Sequence, residues 1–294
     1  MAKTISYEHV DVFTSRPFRG NQLAVFRNAG KLSQKQMQLI AREMNFSESV
    51  FLSGSSHKDV DAKLRIFTPA EEIPFAGHPV LGAAFVILKH KKGRKPPAMS
   101  LELNSGIIRT DIRKTDSTYR ISMYQPVPEF GSALQNRGQV AKAFGLGRME
   151  LTGGGVVSNG LSFLIVEAEE EDSVKRAKLN TEKALNIASR YNVCGIYLFS
   201  RVEKKKTDIH ARFFAPSLSV TEDAATGSAS GALGGYLARI LKFPRKKKFI
   251  IEQGVELKRR SSIRVDVSCD RGLLESVKVT GTVSWVGGGR IIIP

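Results

Sequence analysis

Arg65-Ile-Phe-Thr-Pro69 returns 147 residues later as Arg212-Phe-Phe-Ala-Pro216, an offset equal to half of the 294-residue chain. After each copy come an acidic residue, four further residues and a glycine that opens a helix-like stretch. These are Glu72 to Gly77 in the first half and Glu222 to Gly227 in the second, now 150 residues apart, so that His78 falls opposite Ser228. Two short strand–proline–helix units can look alike by chance, because a five-residue match with two free positions arises readily. Duplication explains more, since strand, acid and glycine recur in one order. The expected architecture is two similar domains facing each other across a pseudo-twofold axis. Their join is expected at Gln125-Pro-Val-Pro128, giving domains of 1–124 and 125–294, with the last strand a candidate to cross back to the first.

Working outward from the repeat, strand-like stretches dominate. Thr4–Phe13, Leu23–Phe26, Leu64–Phe67, Gly106–Ile112 and Tyr119–Met123 are rich in β-branched or aromatic residues and bounded by turn formers. Similar stretches return at Leu161–Val166, Gly195–Phe199, Ile209–Phe214, Phe249–Glu252, Ile263–Val267, Ser276–Val279 and Thr282–Ile293. Gly287-Gly288-Gly289 interrupts the last of these as a bulge or turn. Four helices are expected. Ser33–Met44 has a Ser33/Gln36 capping box and an apolar face of Met37, Ile40, Ala41 and Met44. The others are Pro79 to about Lys89, with proline at the first helical position, Thr181–Arg190, and Ala229 to about Leu241. Many strands with a few interspersed helices argue for an α+β fold rather than a doubly wound parallel sheet.

Composition excludes several classes. The longest nearly apolar run, Phe75–Leu88, is 14 residues and includes a histidine, short of the roughly 20 needed to cross a bilayer. Thr4–Phe13 is polar and alternating, with no apolar signal-peptide core, so a cytoplasmic chain with no membrane partner is expected. Two cysteines, Cys194 and Cys269, cannot make a disulfide framework or a zinc ribbon. His9, His57, His90 and His210 lack the spacing of a metal site, and Gly153-Gly154-Gly155 lacks the lysine of a phosphate loop. The net charge of +17 invites a nucleic-acid reading. Yet the cations fall in short clusters, Lys89–Lys95, Lys204–Lys206, Lys242–Lys248 and Lys258–Arg260, and no cluster interleaves aromatic residues as a stacking platform would. A solvated basic surface with at most nonspecific polyanion contact, and no specific nucleic acid, is the expectation.

Each repeat sets a Gly-X step at a helix N-terminus, Gly77-His78-Pro79 and Gly227-Ser228-Ala229. Backbone N–H groups and the helix dipole there favour a carboxylate or phosphate. A single such glycine would read as a tight turn; two at matched positions suggest a pair of anion-binding tips. In Asn45-Phe-Ser-Glu48-Ser-Val-Phe-Leu52, Glu48 falls within a strand expected over Phe46–Leu52. A carboxyl among apolar neighbours has a raised pKa, which suits general acid–base work, while an edge-strand glutamate pointing at water is the plainer alternative. Asp223 is either a helix cap or a second functional carboxylate.

Arg19-Gly-Asn21, Ser47-Glu48, Phe75-Ala-Gly-His78-Pro79 and Glu222-Asp-Ala-Ala-Thr-Gly-Ser228 stand in an order and spacing that resembles the PhzF-like phenazine-biosynthesis family over essentially the whole chain. That resemblance implies the diaminopimelate-epimerase-like fold: two pseudo-symmetric domains, each a β-barrel-like sheet wrapped around a central helix. It implies a cofactor-independent isomerase like trans-2,3-dihydro-3-hydroxyanthranilate isomerase, often homodimeric. Carried over, Glu48 is the acid–base group beside Ser47, and His78, Asp223, Gly77, Gly227 and Ser228 contact a small carboxylate substrate. One departure is Gly20-Asn21-Gln22, where the family commonly has Gly-Asn-Pro. The fold's other branch comprises racemases and epimerases with two opposed cysteines. Here the helix starts hold Gly77-His78 and Gly227-Ser228, and Cys194 and Cys269 lie elsewhere, as small hydrophobes. The alternatives are an amino-acid-type epimerase using His78 or Asp223 as one of two bases, and a non-catalytic binding protein on the same fold.

Overall fold

The structure is a computed structural model that describes residues 3–115, 118–204, 206–218 and 220–294; Lys205 of the second basic cluster lies outside them. Two compact units emerge, one of Met1–Tyr124 with Thr280–Pro294 and one of Gln125–Val279. The fold is α+β, as the strand-rich pattern predicts.

In the first unit the strands are β1 (Thr4–Val12), β2 (Asn21–Phe26), β3 (Glu48–Ser53), β4 (Ala62–Phe67), β5 (Glu72–Ile73), β6 (Ala98–Leu103), β7 (Gly106–Lys114) and β8 (Tyr119–Gln125). The last strand of the chain, β17 (Leu273–Ile292), begins in the second unit and from Thr280 onward completes the set. Pairing runs β1–β2–β3–β4–β6–β7–β8–β17 and back to β1, so the sheet closes on itself. Closure removes sheet edges. β2/β3 and β4/β6 are the parallel pairs. Each needs a crossover, supplied by α1 (Gln34–Met44) and α2 (Gly77–His90). Helix α2 is buried on every side, through Val80, Leu81, Ala83, Ala84, Val86 and Leu88, and packs on β1, β2, β3, β4 and β6. Such all-round apolarity marks a core helix. Helix α1 covers the outer face, setting Met37 and Ile40 with Phe26, Phe51 and Phe67. With α2 on one face and α1 on the other, β3 reads as a continuous apolar run rather than an alternation.

The second unit repeats this plan. Its elements are β9 (Glu129–Ala133), α3 (Arg137–Ala143), β10 (Leu151–Ser158), β11 (Ser162–Ala168), α4 (Glu171–Arg176), α5 (Thr181–Tyr191) and β12 (Gly195–Lys204). They continue through β13 (Thr207–Ala215), β14 (Val220–Asp223), α6 (Gly227–Leu241), β15 (Lys246–Gln253) and β16 (Ser261–Asp270). Again two parallel pairs, β11/β12 and β13/β15, flank antiparallel ones, and α6 is the buried crossover helix. β4 with β5, and β13 with β14, are the two copies of the repeat that opened the sequence reading. Its recurring arginine and glutamate make a fork. Arg65 donates to both Glu72 oxygens at 2.7 and 2.5 Å, and Arg212 to both Glu222 oxygens at 2.9 and 2.7 Å. Each guanidinium also lies over the repeat's second phenylalanine-position ring, Phe67 at 5.2 Å and Phe214 at 4.9 Å.

Some boundaries differ from the sequence expectation. α2 starts at Gly77 and α6 at Gly227, each two residues early, so Pro79 is the third helical residue. The first turn lacks intrahelical N–H bonds, so a proline is tolerated there as well as at the first position. β3 begins at Glu48, leaving Phe46 and Ser47 ahead of it. The two last strands are one, β17, with a bulge opposite His9 and Val10 where the glycine run ends. α3 and α4, of seven and six residues, are too short for periodicity to reveal, although Asn136 caps α3 by accepting from Gln139 N.

Candidate active site

Gly20 decides the first cluster. Its φ is +68°, and a Cβ would lie 2.2 Å from the Val12 carbonyl oxygen, so only glycine allows the chain to turn from β1 into β2 at this point. Asn21 thereby heads β2, buried. Its Oδ1 accepts from Ser47 Oγ at 3.1 Å and its Nδ2 lies 3.3 Å from His78 Nδ1. This arrangement assigns the His78 proton to Nε2, the atom 3.4 Å from Glu48 Oε2. β2, the start of β3 and the first turn of α2 therefore bring Ser47, Glu48 and His78 together around Asn21, a residue the sequence motif contained without a role. The Glu48 side chain is 18% exposed. Burial pushes its carboxyl up to about 7, with the Ser47 hydroxyl pulling the other way. The edge-strand alternative, a glutamate facing water, does not describe this environment.

That value has a consequence for stability. An ordinary glutamate titrates near 4.5, so between about 4.5 and about 7 the folded chain holds a proton that the unfolded chain releases. Stability from this group is intact below about 4.5 and is lost as pH rises through about 7, by about 3 kcal/mol at about 1.4 kcal/mol per pH unit. Glu48→Gln is expected to raise the Tm of the first unit by roughly 6–12 °C at pH 8 and to leave it unchanged at pH 4.5. Thermal scans at the two pH values check this; equal shifts at both would contradict it.

The second cluster is built on β14 and α6. Asp223 Oδ2 accepts from Thr226 Oγ1 at 2.6 Å, so Asp223 is bonded to the helix N-cap residue rather than capping the helix itself. Thr226 spends its hydroxyl on Asp223, and Ala76 at the corresponding place before α2 has none, so neither helix start carries a side-chain cap. The tip of α6 is supported from behind. Gln125 Nε2 donates to Gly227 O at 3.1 Å, and Asn159 Nδ2 donates to Ser228 O and Gln125 Oε1, both at 2.8 Å. No spacing in the sequence marks Gln125 or Asn159. Gly77, His78, Gly227 and Ser228 are all buried in the first turns of their helices.

The duplication also shows what the second unit lacks. Glu48 and Gly195 occupy the same place, the first residue of β3 and of β12, 147 residues apart, each paired to the strand that carries the arginine repeat. A Cβ on Gly195 would lie 2.3 Å from the Phe213 ring. The position equivalent to the carboxylate is thus filled by an aromatic ring. Cys194, just before it, gives its thiol to Ser162 O at 3.1 Å, and burial pushes that thiol up to about 12, so it stays protonated.

Comparison with known proteins accords with this geometry. The profile of the family described as phenazine biosynthesis-like protein matches residues 10–289. The trans-2,3-dihydro-3-hydroxyanthranilate isomerase of Pseudomonas fluorescens is 35% identical over 289 residues, covering 98% of this chain and 99% of that protein. Among solved structures, a Bacillus anthracis phenazine biosynthesis protein of the PhzF family superposes with a TM-score of 0.90 at 27% identity, covering 99% of this chain and all of that one. A predicted epimerase from Pseudomonas aeruginosa gives 0.83 at 31% identity, covering 98% and 99%. With its duplicated fold, its buried glutamate and a profile match over nearly its whole length, the chain belongs to the phenazine biosynthesis-like protein family.

Proposed function

We propose that this isomerase moves a proton between two carbons of a small cyclic or amino-acid-like carboxylate, in the manner of trans-2,3-dihydro-3-hydroxyanthranilate isomerase, and does so without a cofactor. The observation that carries the reading is Glu48: largely buried, beside His78, with its carboxyl raised to about 7. A group with that value is an effective base and, once protonated, an effective acid near neutral pH. In the proposed step the C–H bond breaks, its proton passes to Glu48, and the electron pair moves into the neighbouring double bond, which shifts along the ring. The same proton then returns to the far carbon, so the formula is unchanged. Main-chain N–H groups at the helix starts, Gly77-His78 and Gly227-Ser228, are the proposed substrate contacts suited to anionic groups. Ser47, His78 and Asp223 orient the substrate's amino and hydroxyl groups.

Gly195, which duplicates the Glu48 position in the second unit, carries no ionisable side chain and is backed by Phe213, so the duplication adds no second carboxylate, which favours the single-carboxylate route. The proposed enzyme is a cytoplasmic homodimer; no helix among the described residues is long and apolar enough to cross a membrane.

Incubation with trans-2,3-dihydro-3-hydroxyanthranilate, and with a panel of dihydroaromatic and amino acids, in deuterated water tests the reaction. The expected result is isomerised product with kcat/KM rising as pH increases through about 7, because the base must first ionise. Deuterium entering a single stereocentre with inversion would instead establish an epimerase. Absence of both isomerised product and deuterium exchange across the panel, at any pH, would overturn the proposal.

A further inference from the structure

Gln253, the last residue of β15, is fully buried and makes three of its four amide hydrogen bonds to the segment between Asp223 and α6. Its Oε1 accepts from Thr226 N at 3.1 Å and from Tyr197 OH at 2.9 Å. Its Nε2 donates to Asp223 O at 2.8 Å and to Thr226 Oγ1 at 3.0 Å. Two lone pairs and two N–H donors are the full capacity of the group. The amide cannot be turned over, because Thr226 N offers only a proton and Asp223 O only a lone pair. Its orientation also directs the threonine hydroxyl: Thr226 Oγ1 accepts from Gln253 and must aim its single proton at Asp223 Oδ2. Asp223 is thereby held as a hydrogen-bond acceptor.

Neighbouring contacts fix the same segment. Ser261 Oγ donates to Ala224 O at 2.8 Å. Gly254, at φ +74°, lies so close to that carbonyl that a Cβ would sit 2.5 Å from it. Ser230 Oγ donates to Thr226 O at 2.8 Å and meets Tyr197 OH at 2.9 Å. The duplication makes the feature conspicuous. Leu101 of β6 and Ile251 of β15 occupy the same register, 150 residues apart, so the counterpart of Gln253 in the first unit is Leu103, which forms no side-chain hydrogen bonds. An apolar residue satisfies the barrel at that place; the amide is an addition of the second unit.

We propose that Gln253 is the positioning residue for Asp223 and for the tip of α6, fixing the direction of the Thr226 proton and hence the acceptor face that Asp223 presents to the substrate. The inference rests on the reading of Asp223, Gly227 and Ser228 as substrate contacts. Three variants test it: Gln253→Leu, which copies the first unit; Gln253→Glu, which keeps both acceptors and loses both donors; and Thr226→Val, which removes the hydroxyl link alone. Hydrogen exchange of the free protein should show amides 223–230 losing protection by tenfold or more in Gln253→Leu while β12 and β13 stay protected. With trans-2,3-dihydro-3-hydroxyanthranilate, kcat should fall at least tenfold in Gln253→Glu and Thr226→Val. The ratio of Gln253→Glu to wild type should climb as pH falls, because a protonated carboxyl regains one donor. Unchanged protection in Gln253→Leu, or a ratio flat with pH, would overturn the proposal. A wild-type protein inert toward the substrate would count against the isomerase reading, and the exchange measurement would then decide the positioning role by itself.

Discussion

Glu48→Gln is expected to cost about 10³- to 10⁴-fold in turnover, at the upper end of what a positioned general base contributes, because in the proposed step this one group both removes and returns the proton. The amide preserves the shape of the side chain and cannot take up a proton in the working pH range. The loss should fall on kcat with little change in KM, since Glu48 is proposed to move the proton rather than to hold the substrate. Folding should survive, because a neutral side chain suits this buried place at least as well as an ionised one. Steady-state kinetics with deuterium wash-in, run on a variant checked by circular dichroism, gives the answer. Full exchange in Glu48→Gln would remove the proposed base.

The second large effect concerns stability. The Arg212 side chain is 9% exposed and engages all three of its guanidinium nitrogens. Nε and Nη2 reach Glu222, while Nη1 reaches the carbonyls of Ala177 at 2.7 Å, Val174 at 3.1 Å and Lys175 at 3.3 Å. Those carbonyls end α4, so one side chain ties β13 to β14 and also satisfies a helix C-terminus. Arg212→Met takes the arginine donor away from a largely buried carboxylate and from three carbonyls, and is expected to cost about 3–5 kcal/mol, or a drop in Tm of roughly 6–20 °C. Lysine should not rescue it, since a point charge cannot reproduce the fork. Its counterpart Arg65 is more exposed, at 24%, and Glu72 keeps a second donor in Asn104 Nδ2 at 3.0 Å. Arg65→Met should therefore cost about 1 kcal/mol. Chemical denaturation of the two variants side by side tests the contrast; equal costs would show that the second fork has no special weight.

The sequence carried the fold through its duplication, and the reason is physical. An arginine–glutamate fork joining two short strands, followed by an uncapped helix start, constrains residue type at several places, and those constraints survive as a visible repeat. Glu48 was legible for a similar reason, as a charge set in an apolar strand. The supports of the site were not. Asn21, Gln125, Asn159 and Gln253 are single amides at strand ends whose partners, backbone groups and side chains alike, are brought near by tertiary folding, and no local spacing encodes such a meeting. Gln253 had one available signal, the mismatch with Leu103 at the repeat offset, which only strand register reveals. Short α3 and α4 escaped because six or seven residues complete barely two turns.

β1 pairs with residues near the far end of the chain, Thr4 with Ile292 and Val12 with Val283. A ribosome adding about 5–20 residues per second would need roughly 15–60 s to deliver that partner after the first strand has emerged. Through that interval the nascent amino-terminal half has a gap in its wall and an oily helix without its full covering. It is then a natural client for holding chaperones, and the last stave, when it arrives, works as a latch on everything made before it.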